Sequence, residues 1–161
     1  MFIPCNLYFL KPFKPLQSHL NCIYLMKIER DMKKHNQVVV QFKDNTILKG
    51  KIDNWSPQKT HVFLQTQEQG ILNINKEKLK AVFFIKDFEG NPDYKETYDD
   101  LMPGEGRKMK IRFLDGEEIT GYCLSYSENH QGFTITPADK LCNNTRIFII
   151  QSAIEKVEWI D

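Results

Sequence analysis

Several kinds of chemistry are missing from this 161-residue sequence. Its four cysteines, Cys5, Cys22, Cys123 and Cys142, form no Cys-x-x-Cys pair, and no histidine stands at zinc-ligand spacing from them. That argues against a structural metal site. Without a secretion signal a disulfide scaffold is not expected either, so a reducing cytoplasm is the expected compartment. Its eight glycines build no phosphate-cradling loop. No Ser-His-Asp arrangement can be assembled from spacing. No apolar run reaches the roughly 20 residues that a membrane helix needs. Charge of one sign is also lacking: 22 basic and 21 acidic residues leave +1, which gives no overall pull toward nucleic acid or an anionic membrane. These absences leave no catalytic residue, metal, cofactor or small-molecule substrate to nominate.

What is present is a foldable chain. A 41% hydrophobic and 12% aromatic content excludes a wholly disordered polymer, and the length suits one domain or two very small ones. Charge is uneven along it. Residues 1–36 carry six basic and two acidic side chains, and residues 37–86 carry eight and four. Residues 87–106 carry one and seven, and residues 107–161 carry seven and eight. One acidic stretch therefore offsets a basic amino-terminal half.

Residues 1–25 are apolar and aromatic but broken by Pro4, Pro12 and Pro15 and by Lys11 and Lys14. They lack the basic start, unbroken apolar run and cleavage site of a signal peptide. Residues 1–32 read as a disordered tail or an over-extended gene start. The second is favoured, because Met26 and Met32 lie downstream and Lys27–Lys34 leads into the first strand-like segment.

An internal repeat organises the rest. VVVQFKDNTILKGKIDNWS (38–56) aligns without gaps to MKIRFLDGEEITGYCLSYS (109–127), and LKAVFFI (79–85) to IEKVEWI (154–160). Phe42 matches Phe113, Asp44 matches Asp115, Gly50 matches Gly121 and Trp55 matches Tyr126. Each copy alternates apolar and polar residues around a hairpin pair, Asp44-Asn45 or Asp115-Gly116, that tolerates positive φ. A glycine inside the second strand marks a bend or a close backbone approach. The expected fold is all-β: a tandem repeat of two small, strongly bent barrels of five short strands each. Residues 33–86 and 107–161 form the copies, and residues 87–106 form an acidic linker.

The order V-x-V-x-F-x-D-N-x-x-x-x-G-x-I-x-x-W resembles the first half of an Sm-like domain, a bent five-stranded barrel of the SH3-like type. The chain also looks like an uncharacterised group of small bacterial proteins carrying a phrase like VFFIKDFEGNPDY (82–94) between two barrels. The resemblance implies the fold but not uridine recognition. RNA-binding Sm-like proteins use an Asp and an Asn after the second strand, and an Arg or Lys with Gly near the fourth and fifth. Here those loops read SPQKTH (56–61) and SENHQG (127–132), and KLKAVFF and AIEKVEW contain no Gly. The Arg-x-x-x-Arg and Asp-x-Ser-x-x-Gly motifs of cyclic-dinucleotide-binding PilZ barrels are absent too.

The copies differ at outward-facing strand positions. Val39, Phe63 and Phe83 correspond to Lys110, Thr134 and Glu158. Apolar residues where a solvated face is expected normally cover something, so these three are the interface candidates. The plainer reading of Val39 and Phe83 is contact between the copies or with residues 26–36; the sharper one is self-association or a partner surface. Lys43, Lys49 and Lys51, and likewise Lys108, Lys110 and Arg112, put cations on strand faces near Trp55, Tyr122 and Tyr126. Such faces can track phosphates and stack bases, although lysines on exposed strands also block aggregation.

In the linker, Phe88, Tyr94 and Tyr98 suggest docking, while Asp93, Glu96, Asp99 and Asp100 lack EF-hand spacing and read as a solvated acidic turn. His61 and His130 fall in equivalent loops and read as exposed. Cys123 aligns with Ile52 and reads as core; Cys142 reads as an exposed loop residue. The expected function is a non-enzymatic binding or adaptor module acting through protein–protein contacts. The alternative is low-specificity RNA or single-stranded DNA binding through Lys43, Lys49, Lys51, Trp55, Lys108, Lys110, Arg112 and Tyr126.

Overall fold

A computed structural model describes residues 36–91, 93–95 and 105–160. The expected tail, residues 1–32, lies outside the described residues, as do Glu96, Tyr98, Asp99 and Asp100 of the linker. The first hairpin, β1 (Gln37–Phe42) with β2 (Ile47–Lys51), turns at Asp44-Asn45. There Asn45 takes φ 68° and the Asp44 carboxylate accepts the Thr46 amide at 2.9 Å. β6 (Arg107–Phe113) and β7 (Glu118–Cys123) turn in the same way at Asp115-Gly116, with Gly116 at φ 86° and Asp115 accepting the Glu117 amide at 3.1 Å. In both turns a short carboxylate caps the chain and the next residue supplies the left-handed conformation.

The remaining strands are β3 (His61–Thr66), β4 (Gly70–Asn75), β5 (Leu79–Ile85), β8 (Gly132–Pro137), β9 (Asn144–Ile150) and β10 (Ile154–Trp159). Single 3-10 turns, Lys76–Lys78 and Gln151–Ala153, lead into β5 and β10. No helix among the described residues is long and apolar enough to cross a membrane.

The ten strands of the described residues belong to one antiparallel sheet in the order β10-β6-β7-β8-β9-β5-β1-β2-β3-β4. Each half runs fifth-first-second-third-fourth, and among the described residues the sheet is not closed, with β10 and β4 as its two edges. The sequence suggests two barrels connected by a linker; the structure joins the halves edge to edge through β5 and β9, with Ala81 opposite Ile149 and Phe83 opposite Ile147. The physical reason lies in the composition of β5. LKAVFFI is buried along its whole length, the signature of a strand covered on both faces.

The two predicted glycines sit at close backbone approaches. A Cβ on Gly50 would stand 2.5 Å from the Gln65 carbonyl, and one on Gly121 would stand 2.6 Å from that of Thr136. Only glycine lets β3 and β8 cross so close to β2 and β7. Each half carries an apolar cluster. Val38, Val40, Leu64, Ile74 and Phe84 define one, joined by Phe148 and Ile150 from β9. Met109, Ile111, Phe113, Phe133 and Ile149 define the other, joined by Val39, Ala81, Phe83 and Ile85 from the first half. The seam strands thus feed both cores.

The start of the linker packs on the β8–β9 loop. Phe88 rests against the second cluster, the Asn143 side chain donates to the Asp87 carbonyl at 2.9 Å, and the Tyr94 hydroxyl donates to Asp139 at 2.6 Å. Cys142, expected in an exposed loop, is buried, its thiol near the Asn144 carbonyl, and Cys123 is buried like its counterpart Ile52.

Candidate interaction surface

The three interface candidates divide. Val39 and Phe83 sit opposite one another on β1 and β5, and the second half's core covers both. Phe63 lies on β3 and is 58% exposed. Its cross-strand neighbour is Asn73 of β4, while Gln65 faces Ile71, which is 71% exposed. Phe63 and Ile71 are therefore diagonal neighbours on one face of the β3–β4 hairpin, within reach for an aromatic side chain. The hairpin ends in an edge: among the described residues β4 pairs with β3 alone. Its sequence, GILNIN, carries neither charge nor proline. Edge strands of soluble proteins ordinarily carry lysine, proline or a bulge against strand addition. β4 carries none of these.

The opposite edge is built differently. The outer face of β10, β6 and β7 bears Lys110, Arg112, Glu118, Lys156 and Glu158 around one shallow pocket. Glu118 accepts from Lys110 at 2.7 Å and from Arg112 at 2.7 Å, and Lys156 meets Glu158 at 2.5 Å. The hydrogen bonds from Lys110 and Arg112 hold the Glu118 carboxyl below its ordinary range. Those from Lys156 do the same for Glu158.

The nucleic-acid candidates are spread rather than assembled. Lys43, in the first turn, donates to the Ser152 hydroxyl at 2.7 Å. Lys49 is half-buried on β2 and its pKa is lowered by desolvation; Lys51 lies two residues on. Lys108, Lys110 and Arg112 lie on β6, separated from β2 by five strands along the sheet. The two aromatics are engaged in packing. Trp55 stands edge-on to Phe84 at 5.2 Å and to Phe148 at 4.9 Å. Tyr126 contacts Phe133 at 4.8 Å and Trp159 at 5.8 Å, and its hydroxyl accepts from Gln151 at 3.4 Å. Tyr122 is buried. His61 and His130 are exposed, and no group of His, Cys, Asp and Glu among the described residues could hold a metal ion.

Two buried lysines were not singled out by the sequence reading. Lys80 is the extra residue of a bulge in β5: Gln41 faces Ala81 and Phe42 faces Leu79. Its ammonium, 2% exposed, pairs with Glu117 and, at 2.6 Å, with Asp115 of the second half's turn, above the Phe113 ring. Burial works to raise the Asp115 pKa, but its hydrogen bonds from Lys80 and from the Glu117 amide hold it below the ordinary value. Lys76, fully buried, donates to the Ser56 carbonyl at 2.5 Å and lies 4.4 Å from the Trp55 ring centroid. Desolvation lowers its pKa to about 8. Carrying the second alignment block backwards pairs Lys80 with Glu155, Lys76 with Gln151 and Ile71 with Arg146. Those contrasts were the available signal.

Residues 34–161 match the model of a family of unknown function (DUF6982), and the chain belongs to that family. No curated protein matches the chain, and no solved structure does.

Proposed function

We propose that this chain is a non-enzymatic binding or adaptor module acting through protein–protein contacts, built from two copies of one strongly bent, SH3-like (Sm-like) barrel unit. Support for the duplication is the shared strand order, the matching 3-10 turns, the paired glycines and the bulge that recurs at Lys80 and Glu155. The observation that carries the functional reading is the β4 edge: uncharged, without proline, and flanked by exposed Phe63 and Ile71. Strand addition to such an edge draws affinity from main-chain hydrogen bonds and selectivity from the adjoining side chains. On the charged face, by contrast, the cations already meet carboxylates, and the aromatics Trp55 and Tyr126 serve the core.

Affinity capture from lysate with the tagged full chain tests this, with and without RNase and at low and high salt. Protein partners should survive both treatments and be lost with Phe63→Glu. Capture that disappears on RNase treatment, or falls steeply with salt, would instead favour the nucleic-acid reading.

A further inference from the structure

We infer that the β4 edge pairs with the β4 edge of a second copy of this chain, antiparallel and about a two-fold axis at Asn73. The inference rests on the preceding reading of β4 as the binding edge and names its occupant. The β5–β9 seam supplies a precedent within the chain. The fourth strand of the second half, β9, already accepts an antiparallel neighbour along its outer edge, with Val82 opposite Phe148 and Phe83 opposite Ile147. β4 is the fourth strand of the first half and, among the described residues, has β3 as its one neighbour.

Strand composition decides which edge fits β4. At the seam, β9 sends Phe148 and Ile150 into the other half's core. The positions matching these on β4 are Asn73 and Asn75, which have no apolar core to fill and instead suit a flat, edge-to-edge extension. The β10 edge of another copy is a poor match, because docking it as β5 docks would bury Lys156 and Glu158 where Ala81 and Phe83 lie. β4 of another copy brings no charge.

Register follows from parity. A two-fold antiparallel pairing keeps faces matched only if the paired residue numbers sum to an even number. Centring on Asn73 sets Leu72 opposite Ile74 of the second copy, Ile71 opposite Asn75, and Asn73 opposite itself. Leu72 is half-buried, and this register continues the inward apolar rows of Leu64–Leu72 and Val62–Ile74 across the axis. On the outer face the Asn73 amides can hydrogen-bond to each other between the two Phe63 rings.

Light scattering on the purified full chain tests the inference across a range of concentrations. The expected mass is twice the 19.0 kDa of one chain, falling to a single chain with Asn73→Lys, which sets two ammonium groups opposite one another. Asn73 is exposed, so its replacement need not disturb the core. A cross-link provides a second readout independent of that variant. In a background with Cys5 and Cys22 changed to Ser, Asn73→Cys should form a symmetric disulfide with oxidised glutathione as oxidant, since directly opposed residues lie within disulfide reach. Ile71→Cys should not, because its two copies lie about 13 Å apart in this register. A single-chain mass at every concentration, a dimer that survives Asn73→Lys, or equal cross-linking from both cysteines would overturn the inference. A single-chain mass with Phe63-dependent partner capture intact would leave the protein-binding reading standing.

Discussion

The outer face of β1 and β5 and the corresponding face of β6 and β10 use the same backbone for opposite ends. In the first half this face carries Val39, Ala81 and Phe83, and the second half's core closes over it. In the second half the same positions carry Lys110, Lys156 and Glu158, paired with one another and with Glu118 at the surface. Had both faces been apolar, each half could have accepted another, and the sheet would extend without limit. Charge at the β10 end opposes such an extension. Among the described residues, the sheet ends in a charged face at β10 and in an uncharged strand at β4.

The largest effect should come from making the two faces alike. Phe83→Glu, which copies Glu158, places a carboxylate inside the cluster that the second half closes over this face. A loss of about 4 kcal/mol or complete unfolding is expected in urea denaturation. The reciprocal Glu158→Phe should change stability by no more than about 0.5 kcal/mol while adding apolar surface. Near-native stability for Phe83→Glu would break the comparison.

Next is the bulge pair. Lys80→Ala leaves Glu117 buried without its cation and should cost about 3 kcal/mol, whereas Glu155→Ala at the matching bulge should cost under about 0.5 kcal/mol. Lys80→Met with Glu117→Leu should recover most of the loss, since a buried ion pair replaced by apolar groups is often neutral. Asp115 adds a pH signature. Its folded-state pKa is lowered from the ordinary 3.8, so its contribution is present above that value and is lost as pH falls through the lowered one. Lys80→Ala should flatten this acid limb. An unchanged acid limb would show that Lys80 does not hold Asp115.

Much of this architecture was legible in the sequence because its determinants are local. Hairpin chemistry at Asp44-Asn45 and Asp115-Gly116, and the glycines that admit a crossing strand, depend on a few neighbouring residues. Copy-to-copy contrast singled out Val39 and Phe83, and the structure places both in the cluster shared with the second half. What alternation cannot reveal is which strands meet across a distance. The β5–β9 seam is a long-range pairing, and β9 sends Phe148 and Ile150 into the other half. Trp55 and Tyr126 illustrate a related limit: an aromatic beside lysines reads as a stacking platform until the core that it seals is seen. Lysine, taken as a surface residue from its type alone, concealed Lys76 and Lys80.

The smallest expected effect concerns Lys76 and Gln151, which occupy the same place in their halves. Gln151 donates a neutral hydrogen bond to Tyr126, whereas Lys76 holds an ammonium against Trp55 with backbone carbonyls as its acceptors. Burial lowers the Lys76 pKa from the ordinary 10.5 to about 8. Between these values the unfolded chain binds a proton that the folded chain does not, so stability must rise with pH across that window. Below about pH 8 the ammonium is charged in both states and its burial cost is carried in full. The rise is bounded by about 3 kcal/mol and should be nearer 2, since carbonyl and ring contacts oppose deprotonation. Lys76→Gln, which installs the second half's solution in the first, should remove the dependence. The difference in urea midpoint between wild type and variant, followed from pH 7.5 to 10.5, isolates Lys76 from tyrosine and cysteine titrations common to both. A difference that stays flat would mean that the lysine is as well solvated as a surface one, and that the two halves do not differ here.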